Sequence, residues 1–241
     1  MRKIYLLAAF VVVTLSTFAQ VTASGLPQAT YPSLAAAITA LNSATISSNV
    51  QISLQANEVA PAGGYVITAS GNFFSRIEIR GNQRRITASN AHTPGSISDA
   101  IFKIVGSKYV SITGFGLYEN PLNTNVDLAT NNCTEFGIAL LNSAPGVGPE
   151  NITINNNVIK LNLFYPNSIG VYTNSNHSST NFTTIAAATS TGRNQSITIT
   201  SNEIDSANIA IAAIGTPGFP SGTITIGGND PAQSNLITNW G

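Results

Sequence analysis

Glu203 and Asp205 are the closest pair of carboxylates in the chain, and a pair of carboxylates is what acid–base cleavage of a glycosidic bond requires. On a strand, residues i and i+2 share a face, so both point outward together. Tyr118, Glu119 and Tyr172 form a second candidate set. Flat aromatic faces and a carboxylate at outward positions of neighbouring strands suit a sugar-binding groove. His92 and His177 are the only histidines, lie far apart and have no carboxylate cluster near them in sequence, so no metal site is expected. Cys133 is the only cysteine, which excludes an internal disulfide and a cysteine-based zinc site and leaves a buried, inert thiol as the expectation. No nucleophile elbow, phosphate-binding loop or dinucleotide fingerprint occurs.

Each set has a simpler structural reading. Glu203 and Asp205 align with Lys160 beside an asparagine corner, which suits a solvated outer strand and an ion pair worth at most about 1 kcal/mol. Tyr118 and Tyr172 also read as isolated exposed tyrosines. Arg76, Arg80, Arg84 and Arg85 cluster locally, but among Glu78 and polar residues they read as a solvated strand edge.

The elements that must position these groups are written in a recurring phrase. It runs Tyr109-Val-Ser-Ile-Thr-Gly-Phe, Asn151-Ile-Thr-Ile-Asn-Asn-Asn-Val-Ile, Ser196-Ile-Thr-Ile-Thr-Ser-Asn-Glu-Ile and Thr223-Ile-Thr-Ile-Gly-Gly-Asn. A unit of this kind cannot bury its apolar face alone and stacks on its neighbours. Val110, Ile152, Ile197 and Ile224 share one inward register, and Ile112, Ile154, Ile199 and Ile226 the next. Leu117, Ile159 and Ile204 mark a second strand around a corner. Phe136-Gly-Ile-Ala-Leu, Ser168-Ile-Gly-Val-Tyr and Asn208-Ile-Ala-Ile-Ala mark a third. The pattern predicts an all-β solenoid with three short strands per coil. Asn157, Asn202 and Asn229 fall at equivalent corners, where left-handed backbone angles and amide-to-amide ladders favour asparagine.

Ahead of the strands, Ser33 reads as an N-cap, and Leu34, Ile38 and Leu41 share one helical face. A lone amphipathic helix there is expected to cap the first coil. From Val50 the hydrophobic period becomes two: Val50, Ile52 and Leu54 alternate with polar residues. The stretches 120–134 and 174–195 are long, polar loops, and insertions in repeat proteins tend to collect on one face.

Residues 1–19 read as a secretory signal peptide: Arg2 and Lys3 precede the apolar run Ile4–Val13, with cleavage expected between Ala19 and Gln20. The run is short of the roughly 20 residues a membrane span needs. The mature chain then divides into an N-terminal segment with its capping helix (20–49) and the solenoid (50–241). Signal removal leaves 8 of the 10 basic residues against 10 acidic ones, a net charge of −2. There is no basic patch for a phosphate backbone, so nucleic acid is not an expected partner. The stretch Leu236–Gly241 looks like another coil with no closing cap, which leads to the expectation of further coils or domains beyond it.

The cap helix Pro32–Leu41, the strand Val50–Leu54 and the Asn-Ile-Thr-Ile-Asn-Asn-Asn-Val-Ile phrase resemble the right-handed parallel β-helix of the pectin-lyase-like superfamily. The stretch Asn72-Phe-Phe-Ser-Arg-Ile-Glu-Ile-Arg-Gly-Asn to Ser111-Ile-Thr-Gly-Phe resembles the start of large exported surface proteins of Bacteroidetes-type bacteria. The resemblance implies export to the cell surface and covers lyases, hydrolases and adhesins alike. The catalytic patterns of its enzyme branches do not carry over. There is no Asp-Asp or Gly-His-Gly, and Asp99, Asp127, Asp205 and Asp230 are scattered over different coils. Asn-x-Ser/Thr sequons at Asn132, Asn151, Asn176, Asn181 and Asn194 are expected by composition, and Asp205-Ser206-Ala207 matches an O-glycosylation acceptor that the resemblance implies. The expectation is a secreted or cell-surface scaffold that binds glycan or mediates adhesion without catalysis and without cofactor. The alternative is a polysaccharide lyase or glycoside hydrolase, for which calcium would enter.

Overall fold

The computed structural model describes residues 20–93, 98–178 and 188–241. The signal-peptide reading of residues 1–19, including Ala19, falls outside them, as does the Asn181 sequon. Among the described residues no helix is long and apolar enough to cross a membrane.

Two short strands, β1 (Val21–Ser24) and β2 (Thr30–Tyr31), lead into helix α1 (Leu34–Ser43). Ser33 is its N-cap, with Oγ accepting from the Ala36 amide at 3.2 Å. The Glu58 carboxylate accepts from the Leu34 amide at 3.1 Å, satisfying a further orphan donor of the first turn. Leu34, Ala37, Ile38 and Leu41 are buried, and the helix packs against β1, β2 and the third strand of the first coil. The capping expectation therefore holds for the helix. It missed β1, which pairs antiparallel with the first coil strand, Val21 opposite Leu54, and covers that sheet edge.

The rest is a cycle. In order come β3 (Val50–Leu54), β4 (Glu58–Val59) and β5 (Tyr65–Ile67), then β6 (Ile77–Arg80), β7 (Arg85–Thr87) and β8 (Ala100–Val105). They are followed by β9 (Val110–Thr113), β10 (Gly116–Tyr118) and β11 (Phe136–Asn142), then β12 (Glu150–Asn155), β13 (Val158–Lys160) and β14 (Ile169–Ser178). The last are β15 (Gln195–Thr200), β16 (Glu203–Asp205), β17 (Ile209–Ile214), β18 (Ile224–Ile226) and β19 (Leu236–Thr238). Every third strand enters the same sheet. The first sheet holds β3, β6, β9, β12, β15 and β18, the second β4, β7, β10, β13, β16 and β19, and the third β5, β8, β11, β14 and β17. Among the described residues the strands from β3 onward pair with one another in parallel, so the described chain is all-β with one α-helix and is consistent with a β-solenoid.

The expected registers are the observed ones. Ile152 pairs with Ile197, Ile197 with Ile224, Leu117 with Ile159 and Ile159 with Ile204. Their side chains run in continuous rows through one buried core with α1 at its start. Each fully buried isoleucine contributes about 1.5–3 kcal/mol relative to exposure. Gly137 and Gly170 mark where the third sheet meets the second. A Cβ on Gly170 would lie 2.6 Å from the Ala210 carbonyl oxygen and 2.6 Å from the Ile204 side chain. The outer face of the third sheet is also covered. Ala100, Phe136, Ala139, Leu141, Ile169 and Tyr172 form a second apolar cluster there.

The asparagine ladder needs one correction. Asn157 donates its amide N–H and Nδ2 to Asn202 Oδ1, at 3.1 and 3.0 Å. Asn202 repeats both bonds, at 3.0 Å each, to Asn235 and not to Asn229. Asn229 is exposed at the start of an inserted 3₁₀ turn (Pro231–Gln233), which delays the corner to Asn235. The left-handed residues are Asn156 and Ser201, each one place before the ladder, so hydrogen bonding and not backbone angle selects asparagine at 157 and 202. The two long polar stretches lie at different corners: 120–134 joins the second sheet to the third, whereas 174–178 belongs to β14 of the third sheet and Gln195 opens β15 of the first.

Candidate functional site

A broad concavity lies on the outer face of the first sheet, a trough of about 940 Å³ that crosses all six of its parallel strands. Alternation builds it. The inward rows 50/77/110 and 52/79/112 turn their outward neighbours Gln51, Glu78, Ser111, Thr153, Thr198 and Thr225 into a single file. Coils stack about 4.8 Å apart, so that file repeats at this spacing along the stack. A second file, Arg76, Tyr109, Asn151, Ser196 and Thr223, lies at the strand entrances. Tyr109, Asn151 and Ser196 have φ of 56°, 55° and 54°, a left-handed kink one residue before each inward Val110, Ile152 and Ile197. The kink bends each strand at its start, and the trough follows the bend.

One end of the trough is aromatic. The tight turn closed by the Asn72–Ser75 bridge carries Phe73 and Phe74, 63% and 85% exposed, with rings 5.1 Å apart edge-to-face. Phe73 lines the trough, and the Arg76 guanidinium lies 5.7 Å from its ring centroid. Glu78 is paired with Arg80 at 2.7 Å. Among the described residues Ser111, Thr153, Ser196, Thr198, Thr223 and Thr225 find no side-chain hydrogen-bond partner, which leaves their hydroxyls to a ligand.

The carboxylate pair and the tyrosine–glutamate set singled out from sequence lie outside the trough. Glu203 and Asp205 do project from the same strand of the second sheet. Lys160 reaches both, at 3.4 and 3.2 Å. Hydrogen bonds from Asn239 first, then from Lys160 and Thr238, hold the Asp205 carboxyl below its ordinary range. A general acid needs the opposite shift. Tyr118 lies in the same outward row of the second sheet, half-buried, with the Arg85 guanidinium 4.4 Å over its ring. Glu119 accepts from the Asn120 and Thr134 amides, from Asn123 Nδ2 at 2.7 Å and from the Thr134 hydroxyl at 2.8 Å. It pins the two ends of the 120–134 loop together.

Tyr172 is not an exposed platform. It is 5% exposed, stacked on Phe136 at 4.3 Å, with its hydroxyl 2.7 Å from His177 Nδ1 and 2.6 Å from Asn174 Nδ2. The outward direction expected from sequence is right for the coil interior, but the outer cluster covers the ring. The three candidate ligand residues therefore do not form one site. Cys133 is buried and free, and burial pushes its thiol up to about 11, leaving little thiolate.

A second polar assembly was not legible from spacing. His92 Nε2 lies 3.1 Å from the Thr134 hydroxyl, and Nδ1 lies 3.2 Å from Asp99 Oδ1, a charge contact without an aligned hydrogen bond. Glu135, fully buried, accepts from the Asp99 amide at 2.8 Å and the Tyr165 hydroxyl at 2.7 Å. Burial pushes its carboxyl up, while burial of Lys103 lowers that ammonium against the pull of Asp99 and Glu135. Burial opposes charge on His92, but Asp99, with Glu119 and Glu135 behind it, outweighs burial and raises its pKa. Among the described residues no group of three histidine, cysteine or acidic side chains is arranged to hold a metal ion. Residues 92, 99, 103, 119 and 135 come from four stretches of chain, with only Asp99 and Lys103 close together, so no local motif announces them.

No protein-family model, curated protein or solved structure matches the chain.

Proposed function

We propose that this chain is an exported cell-surface scaffold, a right-handed parallel β-helix of the pectin-lyase-like kind that binds glycan in the trough of its first sheet without cleaving it. The observation that carries the reading is the trough itself. It combines an exposed aromatic ring at one end with free hydroxyls at every coil thereafter, the pairing of flat apolar face and directional hydrogen bonds that a sugar chain requires. Right-handed winding is supported by the strong preference of twisted parallel strands for right-handed crossovers. Placement at the start of a larger Bacteroidetes-type surface protein rests on the sequence resemblance and on the signal-like residues 1–19.

Non-catalytic action is supported by the state of the best carboxylate pair, which shares one lysine and lies on a different sheet from the trough. The test is retention of the secreted chain on immobilised polysaccharides, read beside assays for new reducing ends and unsaturated products. Retention without product, lost in Phe73→Ala, is the expected result. Turnover that disappears in Glu203→Gln or Asp205→Asn would overturn it in favour of an enzyme.

A further inference from the structure

We infer, building on the glycan reading, that the trough is selective for an uncharged, extended polysaccharide laid along the coil stack, and discriminates against polyuronates. The argument is one of charge and of hydrogen-bonding capacity. Among the described residues lining the trough only Arg76 and Glu78 are charged, and both stand at its aromatic end. Glu78 is neutralised by Arg80 at 2.7 Å, and Arg76 lies over Phe73. From Tyr109 to Thr225 the floor is serine, threonine, asparagine, valine, isoleucine and one tyrosine.

An acidic glycan carries a carboxylate on each ring or each second ring. Along this floor most of those charges would lose water with no cation to replace it, and an unpaired charge is costly to desolvate. Among the described residues no group of three acidic side chains stands ready to hold a calcium ion between floor and polymer. A neutral chain meets no such penalty. Each threonine or serine hydroxyl both donates and accepts, so it pairs with a sugar hydroxyl in either orientation.

The direction of the chain follows from the files. Gln51 and Thr225 are five strand steps apart, about 24 Å at the strand spacing. Across the strand, the trough offers only the two files one residue pair apart. A polymer running along the stack therefore meets an equivalent hydroxyl at each coil from Ser111 to Thr225, while one running across it meets two. Phe73, at the aromatic end, gives the first ring a stacking face.

The experiment is isothermal titration of the secreted chain with a soluble β-glucan and a mannan, and with polygalacturonate and alginate, each at low and at high salt. The expected result is binding of a neutral polymer with affinity unchanged by salt and no binding of either polyuronate. Thr153→Val and Thr198→Val keep the β-branched shape and are each expected to weaken the neutral polymer about 2- to 10-fold, with unaltered circular dichroism. Polyuronate binding that exceeds neutral binding and falls with salt would overturn the selectivity while leaving the glycan reading intact. Neutral binding untouched by both threonine variants would overturn the role of the hydroxyl file. Failure to bind any of the four polymers, together with no retention on the wider polysaccharide panel, would sink the glycan reading itself.

Discussion

Replacing Asn202 by alanine tests the ladder at its most connected member. The side chain is 1% exposed and takes part in five contacts to neighbouring coils and its own strand. Nδ2 donates to the carbonyls of Ile154 and Thr200 and to Asn235 Oδ1, each at 3.0 Å, and Oδ1 accepts from the Asn157 amide and Nδ2. Alanine leaves the buried Asn157 amide without a partner and removes the Nδ2 bonds to Ile154, Thr200 and Asn235, while the Ile154 carbonyl keeps the ladder bond of the Asn155–Thr200 pairing. An orphaned group costs about 1–3 kcal/mol and a lost hydrogen bond about 0.5–1.5 kcal/mol, so with partial relaxation the loss is expected to be about 3 kcal/mol. Asn235→Ala removes only the acceptor at the far end and should cost about half as much, whereas Asn229→Ala, on the exposed turn, should stay within about 0.5 kcal/mol. Denaturant unfolding followed by circular dichroism ranks the three variants. If Asn229→Ala proved as damaging as Asn202→Ala, or Asn202→Ala as harmless as Asn229→Ala, the register argued here would be wrong.

Two further outcomes follow from the polar assembly under the third sheet. Glu135 is raised above its ordinary 4.5 and His92 above 6.5, so both contribute stability at low pH that is lost as pH rises through their folded values. Lys103, lowered from 10.5, acts in the opposite sense in the range below that value. The thermal midpoint is therefore expected to fall between about pH 5 and about pH 8, and Glu135→Gln should flatten the fall while still accepting from Tyr165; a midpoint that climbs across this range would refute the assignment. Glu119→Ala frees four donors that close the 120–134 loop, which carries exposed Leu122 and Leu128, and limited proteolysis should cut there faster than in the parent chain. Unchanged cleavage would mean that Asn125 and Asn132, which also bridge the loop, suffice.

The strand registers were readable because they rest on a local code. In the phrases at 151 and 196, inward isoleucines alternate with outward hydroxyls, and period two is a property of any extended chain. The helix was readable for the same reason, since Ser33 and the Leu34/Ile38/Leu41 stripe lie within three turns. The ladder was readable until an insertion intervened. Asn229 matches Asn202 by counting from the preceding isoleucine, and only hydrogen bonding across coils reveals that Asn235 takes its place. The hydroxyl file is written in the repeats as the threonines between the inward isoleucines, but that it lines a trough depends on how the strands lie side by side.

Sequence alone determined which side chains face inward, where the helix starts and that the units stack, because each depends on neighbours a few residues away. Tertiary structure alone decided that Tyr172 is covered, that the two long loops leave from different corners, and that Glu119 closes a loop instead of meeting solvent. It also brought His92, Asp99, Lys103 and Glu135 into one buried assembly. Those outcomes depend on what packs against an outward face, and in a stacked chain that partner comes from another coil or a distant loop, beyond the reach of any local pattern.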